Sequence, residues 1–202
     1  MNSGRTLDRS QRRALETRRR LFEAALKLFL KKGFENTTVS EITEAADVAK
    51  GTFFTHFPTK EAVMCELGSM VLQAMEEALT DPSMKGAGAE ERILALFESA
   101  GRWHEENREI SRLGIRLLVA SPGGAQTDLA NQLRFVRLLD GLVLDGQQKG
   151  GFRSKVSSEL AAQALAGVYY STVLGWHLSP VRMPLCKLLA QGIGLVTKGL
   201  RA

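Results

Sequence analysis

The chain has 202 residues, of which 44% are hydrophobic, 24% charged and 6% aromatic, the balance of a globular protein with one packed core or two small ones. No stretch approaches the run of about 18 apolar residues that spans a membrane, and no apolar segment follows the basic N-terminus, so we expect a cytoplasmic protein. Cys65 and Cys186 stand far apart, without a CxxC motif or clustered histidines. We therefore expect no disulfide framework, metal or cofactor.

The net charge of +5 is concentrated at one end of the chain. Positions 1–20 hold seven arginines and two acidic residues, which accounts for the whole excess, and the remainder is neutral. Such a division favours a polyanionic partner that meets the N-terminus, with a merely solvated tail as the alternative. We expect residues 1–15 to form a flexible basic arm.

The first predicted element is an amphipathic helix over positions 16–32. Its apolar residues recur at helical spacing: Leu21, Ala25, Leu28 and Phe29. Arg18, Arg19 and Arg20 then fall in the first turn, where the helix dipole disfavours cations, so we expect a phosphate partner for them. Gly33 predicts the end of this helix.

Two short helices follow. Thr38 and Glu41 have the spacing of a capping box and predict the start of the second helix, and residues 49–57 predict a third that stops before Pro58. Two short helices joined by a tight turn and stacked on a longer one form a helix-turn-helix, whose second short helix enters the DNA major groove. Short helix pairs are also common in all-α proteins, so periodicity alone leaves the function open.

The motifs of this stretch resemble a known family. Residues 16–63, ETRRRLFEAALKLFLKKGFENTTVSEITEAADVAKGTFFTHFPTKEAV, closely resemble the DNA-binding domain of the TetR family of bacterial transcriptional regulators. The resemblance rests on the Gly33-Phe34 turn, the Thr37-Thr38 cap, the IxxxAxV pattern from Ile42 and the KGTFFTHFPTKE segment. It implies an all-α homodimer of about nine helices, with a three-helix DNA-binding domain at 16–60 and an effector-binding and dimerisation domain at 61–202.

The resemblance also implies a set of DNA contacts. Hydroxyls at the start of the second helix can bind a phosphate in addition to their role as caps, and Gly51 lets the backbone approach the duplex. Cations supply salt-dependent affinity, and the threonines of the third helix can reach base edges. The expected contacts are Arg18, Thr37, Thr38, Lys50, Gly51, Thr52, Phe54, Thr55, His56 and Lys60.

Phe54 departs from the family pattern. The family often has a tyrosine at this position, whose hydroxyl donates to a phosphate, and a phenylalanine cannot form that hydrogen bond. Packing of the ring on a sugar or base remains, and we expect the basic arm to offset the lost affinity. Phe53 and Phe57 are expected in the domain core, as are Phe29, Phe34 and Ile42.

The rest of the chain also has helical patterns. We predict helices over 59–80, 90–107, 109–120, 125–149, 157–178 and 183–200, with a loop at 81–89. Residues that combine apolar bulk with a polar group are candidates to line an effector cavity, with a plain core or surface role as the alternative. These candidates are Trp103, His104, Arg116, Tyr169 and Tyr170. Arg116 can anchor an anionic ligand or pair with Glu98 or Glu105.

Small and apolar residues at a spacing of three and four on the last two helices predict a dimer interface, with packing inside one chain as the alternative. The residues expected there are Ala161, Ala164, Val168, Ser171, Gly175, Leu189, Ile193 and Val196.

The sequence therefore predicts a ligand-responsive regulator, a repressor that binds a palindromic DNA operator as a homodimer and is released by a small molecule. One alternative is a DNA-binding regulator controlled by a protein partner. The other is a small helical enzyme, which the sequence does not favour because it has no HExxH, GxSxG, P-loop or paired-carboxylate motif.

Overall fold

The computed structural model describes residues 8–120, 129–179 and 183–202, which form nine α-helices and no β-strand. The helices are α1 (Arg9–Lys32), α2 (Val39–Ala45), α3 (Lys50–His56), α4 (Ala62–Thr80), α5 (Ala89–Glu106), α6 (Arg108–Ala120), α7 (Leu129–Gln148), α8 (Ser158–Leu178) and α9 (Leu185–Leu200). The predicted all-α fold class is thus confirmed. None of the described helices is both long and apolar enough to cross a membrane.

The predicted helix boundaries are close to the observed ones beyond position 59. The segment at 81–89 is a connection as predicted, although it contains a short 3-10 turn at Pro82–Met84. The first residues of the helix predicted from 125 lie outside the described residues, as do residues 1–7 of the predicted arm.

The start of α1 corrects the predicted arm. The helix begins at Arg9, so residues 9–15 are helical, and the boundary placed at position 16 was wrong. Gln11 Oε1 accepts a hydrogen bond of 3.0 Å from the Asp8 N–H, which satisfies one of the donors that a helix start leaves free. As a result, Arg18, Arg19 and Arg20 lie in the middle of α1, where the dipole argument for a phosphate partner does not apply.

The chain divides into two compact units, one ending at Glu66 and the other beginning at Leu67. The core of the first unit is built from α1, α2 and α3. The Phe29 and Phe34 ring centroids lie 4.8 Å apart, and those of Phe53 and Phe57 lie 5.7 Å apart. Ile42 of α2 is fully buried among these elements. These residues were all predicted to be in the core.

In the second unit, α5, α7, α8 and α9 enclose a larger core. Phe97, Phe135 and Tyr169 form its aromatic centre, with ring centroids 5.2–5.9 Å apart. Helices α5 and α9 approach closely at Gly101, where an added Cβ would lie 2.8 Å from the Cys186 sulfur. The four helices therefore form a tightly packed bundle. Helix α6 adds polar side chains to this unit.

Candidate functional site

Helix α3 is fixed to the first unit by one apolar side and presents the other to solvent. Phe53 and Phe57 are fully buried and anchor the inner side. The turn before α3 contains Asp47 with a φ of 52°, a conformation that Asp and Asn tolerate better than most residues. The Arg20 guanidinium donates to the Ala46 carbonyl at this turn. These contacts set the orientation of α3.

The outer side of α3 carries four exposed positions that were predicted to contact DNA. Lys50 and Phe54 lie one turn apart, and Gly51 and Thr55 form the adjacent row. An added Cβ at Gly51 would have no neighbour within 4 Å, and the Phe54 side chain is 51% exposed. Both rows can approach a partner without rearrangement of the domain.

Thr52 and His56 lie at the edge of this exposed face and are partly buried. Burial, and to a smaller degree the Arg18 guanidinium, lower the pKa of the His56 side chain. His56 is therefore biased towards the neutral imidazole, which can donate one hydrogen bond to a phosphate but adds no charge.

Two residues predicted to contact DNA are turned inward. Thr37 is only 1% exposed, and its hydroxyl donates to the Gly33 carbonyl at 2.8 Å. The Lys60 ammonium donates to the carbonyls of Phe34 and Thr37, at 2.8 and 3.1 Å, and lies 4.2 Å from the Phe34 ring centroid. Both residues therefore stabilise the connection between α1 and α2, and their contact with phosphates stays a prediction.

Thr38 is exposed and caps α2 as predicted. Its Oγ1 accepts from the Glu41 N–H at 3.3 Å, while the Thr38 N–H donates to the Glu41 carboxylate at 2.9 Å. A hydrogen bond from Lys32, followed by those from Thr38, lowers the pKa of Glu41 to about 2. The capping box is therefore ionised at neutral pH, and Thr38 remains at the surface beside it.

Arg18 also has partners inside its own unit. Its Nε and Nη2 donate to one Glu66 carboxylate oxygen, at 3.2 and 2.6 Å, and its Nη1 donates to the His56 carbonyl at the end of α3. The guanidinium carbon also lies 4.3 Å from the Phe57 ring centroid. These contacts make Arg18 a support of α3, and its role as a DNA contact stays a prediction.

The second unit contains a chain of hydrogen-bonded side chains in its core. His104 of α5 is 6% exposed; its Nδ1 lies 2.6 Å from Ser111 Oγ and its Nε2 2.7 Å from Tyr169 Oη. Ser111 of α6 also lies 2.6 Å from Nε2 of His177, so α5, α6 and α8 each contribute. His104 and Tyr169, both predicted as effector contacts, thus lie together.

The hydrogen-bond chain couples the two histidines. Burial, with a smaller effect of His177, lowers the pKa of His104 to about 4, so its ring is neutral and has one N–H. The Ser111 hydroxyl can donate to one histidine only, so the other histidine must donate to it. Nδ1 of His177 is buried and has no hydrogen-bond partner among the described residues. This nitrogen is where the series of hydrogen-bonded side chains ends.

Sequence reasoning missed Ser111 and His177. No sequence pattern indicates that the two histidines are connected through Ser111, because 66 residues separate Ser111 from His177. The His177 pKa is lowered mainly by burial and then by Arg108 and Arg112. A neutral His177 near two arginines is suited to bind an anionic or strongly polar group.

Two of the other predicted effector residues lie beside this hydrogen-bonded group, because the Trp103 ring centroid is 5.4 Å from that of His104 and the Tyr170 ring centroid is 5.1 Å from that of Tyr169. Trp103 and Tyr170 are partly buried and pack against the core. Arg116 is exposed on α6. Both acids proposed to pair with Arg116 have other partners: Glu98 binds Arg102 at 2.7 Å, and Glu105 accepts from the Cys186 N–H at 3.1 Å.

The predicted dimer residues divide into two groups. Ala164, Ser171 and Gly175 are exposed along α8, and Val168 and Val196 are partly exposed. The three remaining predicted residues are buried in the core of the protomer itself, which corrects their placement on a subunit surface: Ala161, Leu189 and Ile193. On the outer side of α9, the Leu195 side chain is 75% exposed.

Two family models match the chain. The model described as bacterial regulatory proteins of the tetR family matches residues 21–67, which include α2 and α3. A second, described as the C-terminal region of YsiA-like protein, matches residues 125–199.

Relatives with curated names match over most of their length. The chain is 27% identical over 194 residues to the HTH-type transcriptional regulator YdgC of Bacillus subtilis, covering 93% of this chain and 94% of that protein. It is 26% identical over 178 residues to the HTH-type transcriptional repressor DhaR of a Mycobacterium species, covering 85% and 88%.

Among solved structures, the chain is similar to Thermus thermophilus FadR, a TetR family transcriptional repressor determined in complex with lauroyl-CoA. The identity is 27%, the TM-score is 0.75, and the match covers 92% of this chain and 95% of that one. The fold is also that of Bacillus subtilis FadR, with 22% identity, a TM-score of 0.71 and coverage of 91% and 99%.

Proposed function

The chain belongs to the TetR family of bacterial transcriptional regulators, and on that premise we propose that it is a repressor that binds a palindromic operator as a homodimer and leaves it when a small molecule occupies the second unit. The observation that carries the DNA-binding part is the exposed face of α3, where Lys50 and Phe54 stand on a helix fixed by buried Phe53 and Phe57.

The proposed DNA interface is smaller than the one expected from the sequence. It consists of the exposed and half-exposed positions of α3, together with Thr38 and the basic start of α1. Lys50 and the exposed α1 arginines supply attraction to phosphates. Arg18, Thr37 and Lys60 act indirectly, since their hydrogen bonds hold α3 and α2 in place.

The proposed dimer interface lies on the exposed sides of α8 and α9. Small side chains at Ala164, Ser171 and Gly175 permit close approach of a helix from a second copy. Leu195 adds an apolar side chain that is 75% exposed in the single protomer, which burial in a dimer would stabilise. Two-fold pairing would present the two α3 helices to half-sites about 34–36 Å apart, or farther in a wider dimer.

For the effector we propose an acyl thioester of coenzyme A. Support comes from the lauroyl-CoA held by the Thermus thermophilus relative and from the apolar side chains of the bundle core, which match an acyl chain in polarity. Nδ1 of His177 offers a hydrogen-bonding position for a polar group of the ligand. Arg108, Arg112 and Arg116 are exposed at intervals of four on α6, so they share a helix face that suits the phosphates of coenzyme A.

The experiment that tests DNA binding is the selection of bound duplexes from a random pool, followed by titration of the enriched sequence at several salt concentrations. We expect a palindrome and, for Lys50→Ala, weaker binding with a flatter salt dependence. Lys85→Ala, an exposed lysine in the connection between α4 and α5, is the matched control and should bind like the wild type. A protein that enriches no sequence at all would contradict the proposal.

The effector is tested on the protein–operator complex. Lauroyl-CoA should release the DNA, whereas free coenzyme A should not, because the acyl chain supplies the burial of apolar surface. Arg116→Ala should weaken the response, and Arg102→Ala, an exposed arginine on α5, should leave it unchanged. Equal release by both variants would exclude Arg116 as a phosphate contact.

A further inference from the structure

The exposed face of α3 is poor in groups that can read bases by hydrogen bonding. The Thr55 hydroxyl donates to the Gly51 carbonyl at 3.2 Å, so its proton is used inside the helix. Gly51 has no side chain, and Phe54 can neither donate nor accept. Lys50 contributes an exposed ammonium, which suits a phosphate. The largest exposed side chain on this face is therefore apolar.

The Phe54 ring is held in position although it is half exposed. Its centroid lies 5.4 Å from that of the buried Phe53 ring, at an interplanar angle of 83°, an edge-to-face arrangement that aromatic pairs favour. Phe54 also has only two side-chain torsions, so little conformational entropy is lost when it meets a partner. A fixed apolar ring beside Gly51, where the backbone is open, can reach the floor of a groove.

Only one base presents an apolar group in the major groove, since thymine carries a C5-methyl there and the other edges offer donors and acceptors. We propose that Phe54 determines operator specificity by packing against the C5-methyl of thymine. The proposal rests on the proposed DNA-binding function and deepens it: α3 selects thymine by burial of apolar surface rather than by a bidentate hydrogen bond.

The experiment replaces single thymines of the selected operator by deoxyuridine, which removes the methyl group and leaves every hydrogen-bonding group in place. One thymine position in each half-site should weaken wild-type binding by about fourfold on replacement, the equivalent of ~0.8 kcal/mol for one buried carbon, and replacement in both half-sites by about fifteenfold. Replacement elsewhere in the operator should have little effect.

The Phe54→Ala variant then identifies the reader. It should bind more weakly than the wild type and lose the difference between thymine and deoxyuridine at the sensitive position. Leu30→Ala, which removes an exposed apolar side chain from α1, should keep that difference. Circular dichroism checks that both variants retain their helical content.

The outcomes separate the two proposals. An enriched operator without any deoxyuridine-sensitive position would overturn the role of Phe54 and leave the DNA-binding function standing, as would a sensitivity that persists in Phe54→Ala. Failure to enrich any operator would refute the proposed function itself, and the thymine contact with it.

Discussion

The buried histidine of the second unit predicts a specific dependence of stability on pH. An unperturbed histidine has a pKa of about 6.5, whereas burial lowers that of His104 to about 4. Below pH 6.5 the His104 ring therefore binds a proton in the unfolded chain, whereas in the folded chain it binds none until the pH approaches 4. The free energy of unfolding contributed by neutral His104 is fully present above pH 6.5 and decreases as the pH falls through that window.

The size of the effect follows from the two pKa values. Each pH unit in this window is equivalent to about 1.4 kcal/mol, so His104 alone should lower the free energy of unfolding by about 2 kcal/mol between pH 7.5 and pH 5. Carboxylates and His177 also titrate, but they are present in a variant that lacks only the His104 ring. The informative quantity is the difference in pH dependence between the wild type and His104→Gln.

Denaturant unfolding followed by tryptophan fluorescence measures this difference, because both tryptophans, Trp103 and Trp176, lie in the second unit. Protomer concentration must be the same in all samples, since association would shift the apparent stability. His104→Gln should be less stable at pH 7.5 but lose about 2 kcal/mol less on acidification. Tyr169→Phe removes a partner of His104 without removing the titrating ring, and should keep the wild-type pH dependence. Parallel pH profiles for the wild type and His104→Gln would refute the assignment of a neutral, buried His104.

Three further substitutions test the first unit and the dimer. Arg18→Ala should destabilise the first unit by about 2 kcal/mol, because an ion pair, a carbonyl hydrogen bond and a ring contact are lost. Hydrogen exchange of the α1–α3 amides measures this loss. Weaker operator binding with unchanged amide protection would instead make Arg18 a DNA contact. Lys50→Ala should reduce the slope of log Kd against log salt by about 1 if it neutralises one phosphate. Leu195→Glu should produce monomers in sedimentation, whereas Leu30→Glu, on α1, should not; dimers in both would exclude the α9 face.

Patterns among neighbouring residues predicted the helices and the position of α3. The roles of individual residues depend on contacts between residues far apart in the sequence, which such patterns do not show. The capping box of Thr38 and Glu41 and the break at Gly33 are encoded within a few residues, and both are found. Arg18 was placed at a helix start because the capping signal at Asp8 and Gln11 was overlooked. Its actual partner, Glu66, is 48 residues away, and no periodicity reveals such a pair.

The distribution of charge around α3 separates affinity from specificity. Arg18 and Lys60 are held by carbonyls, a carboxylate and ring faces within the first unit. In the proposed complex, the salt-dependent attraction to phosphates would therefore come from Lys50 and from the exposed arginines at the start of α1, whose phosphate contacts do not depend on the base sequence. Discrimination between bases falls to an uncharged ring, Phe54, whose contact releases no counterions. A substitution at Phe54 should consequently change which operator is preferred without changing the salt slope, and one at Lys50 should do the reverse.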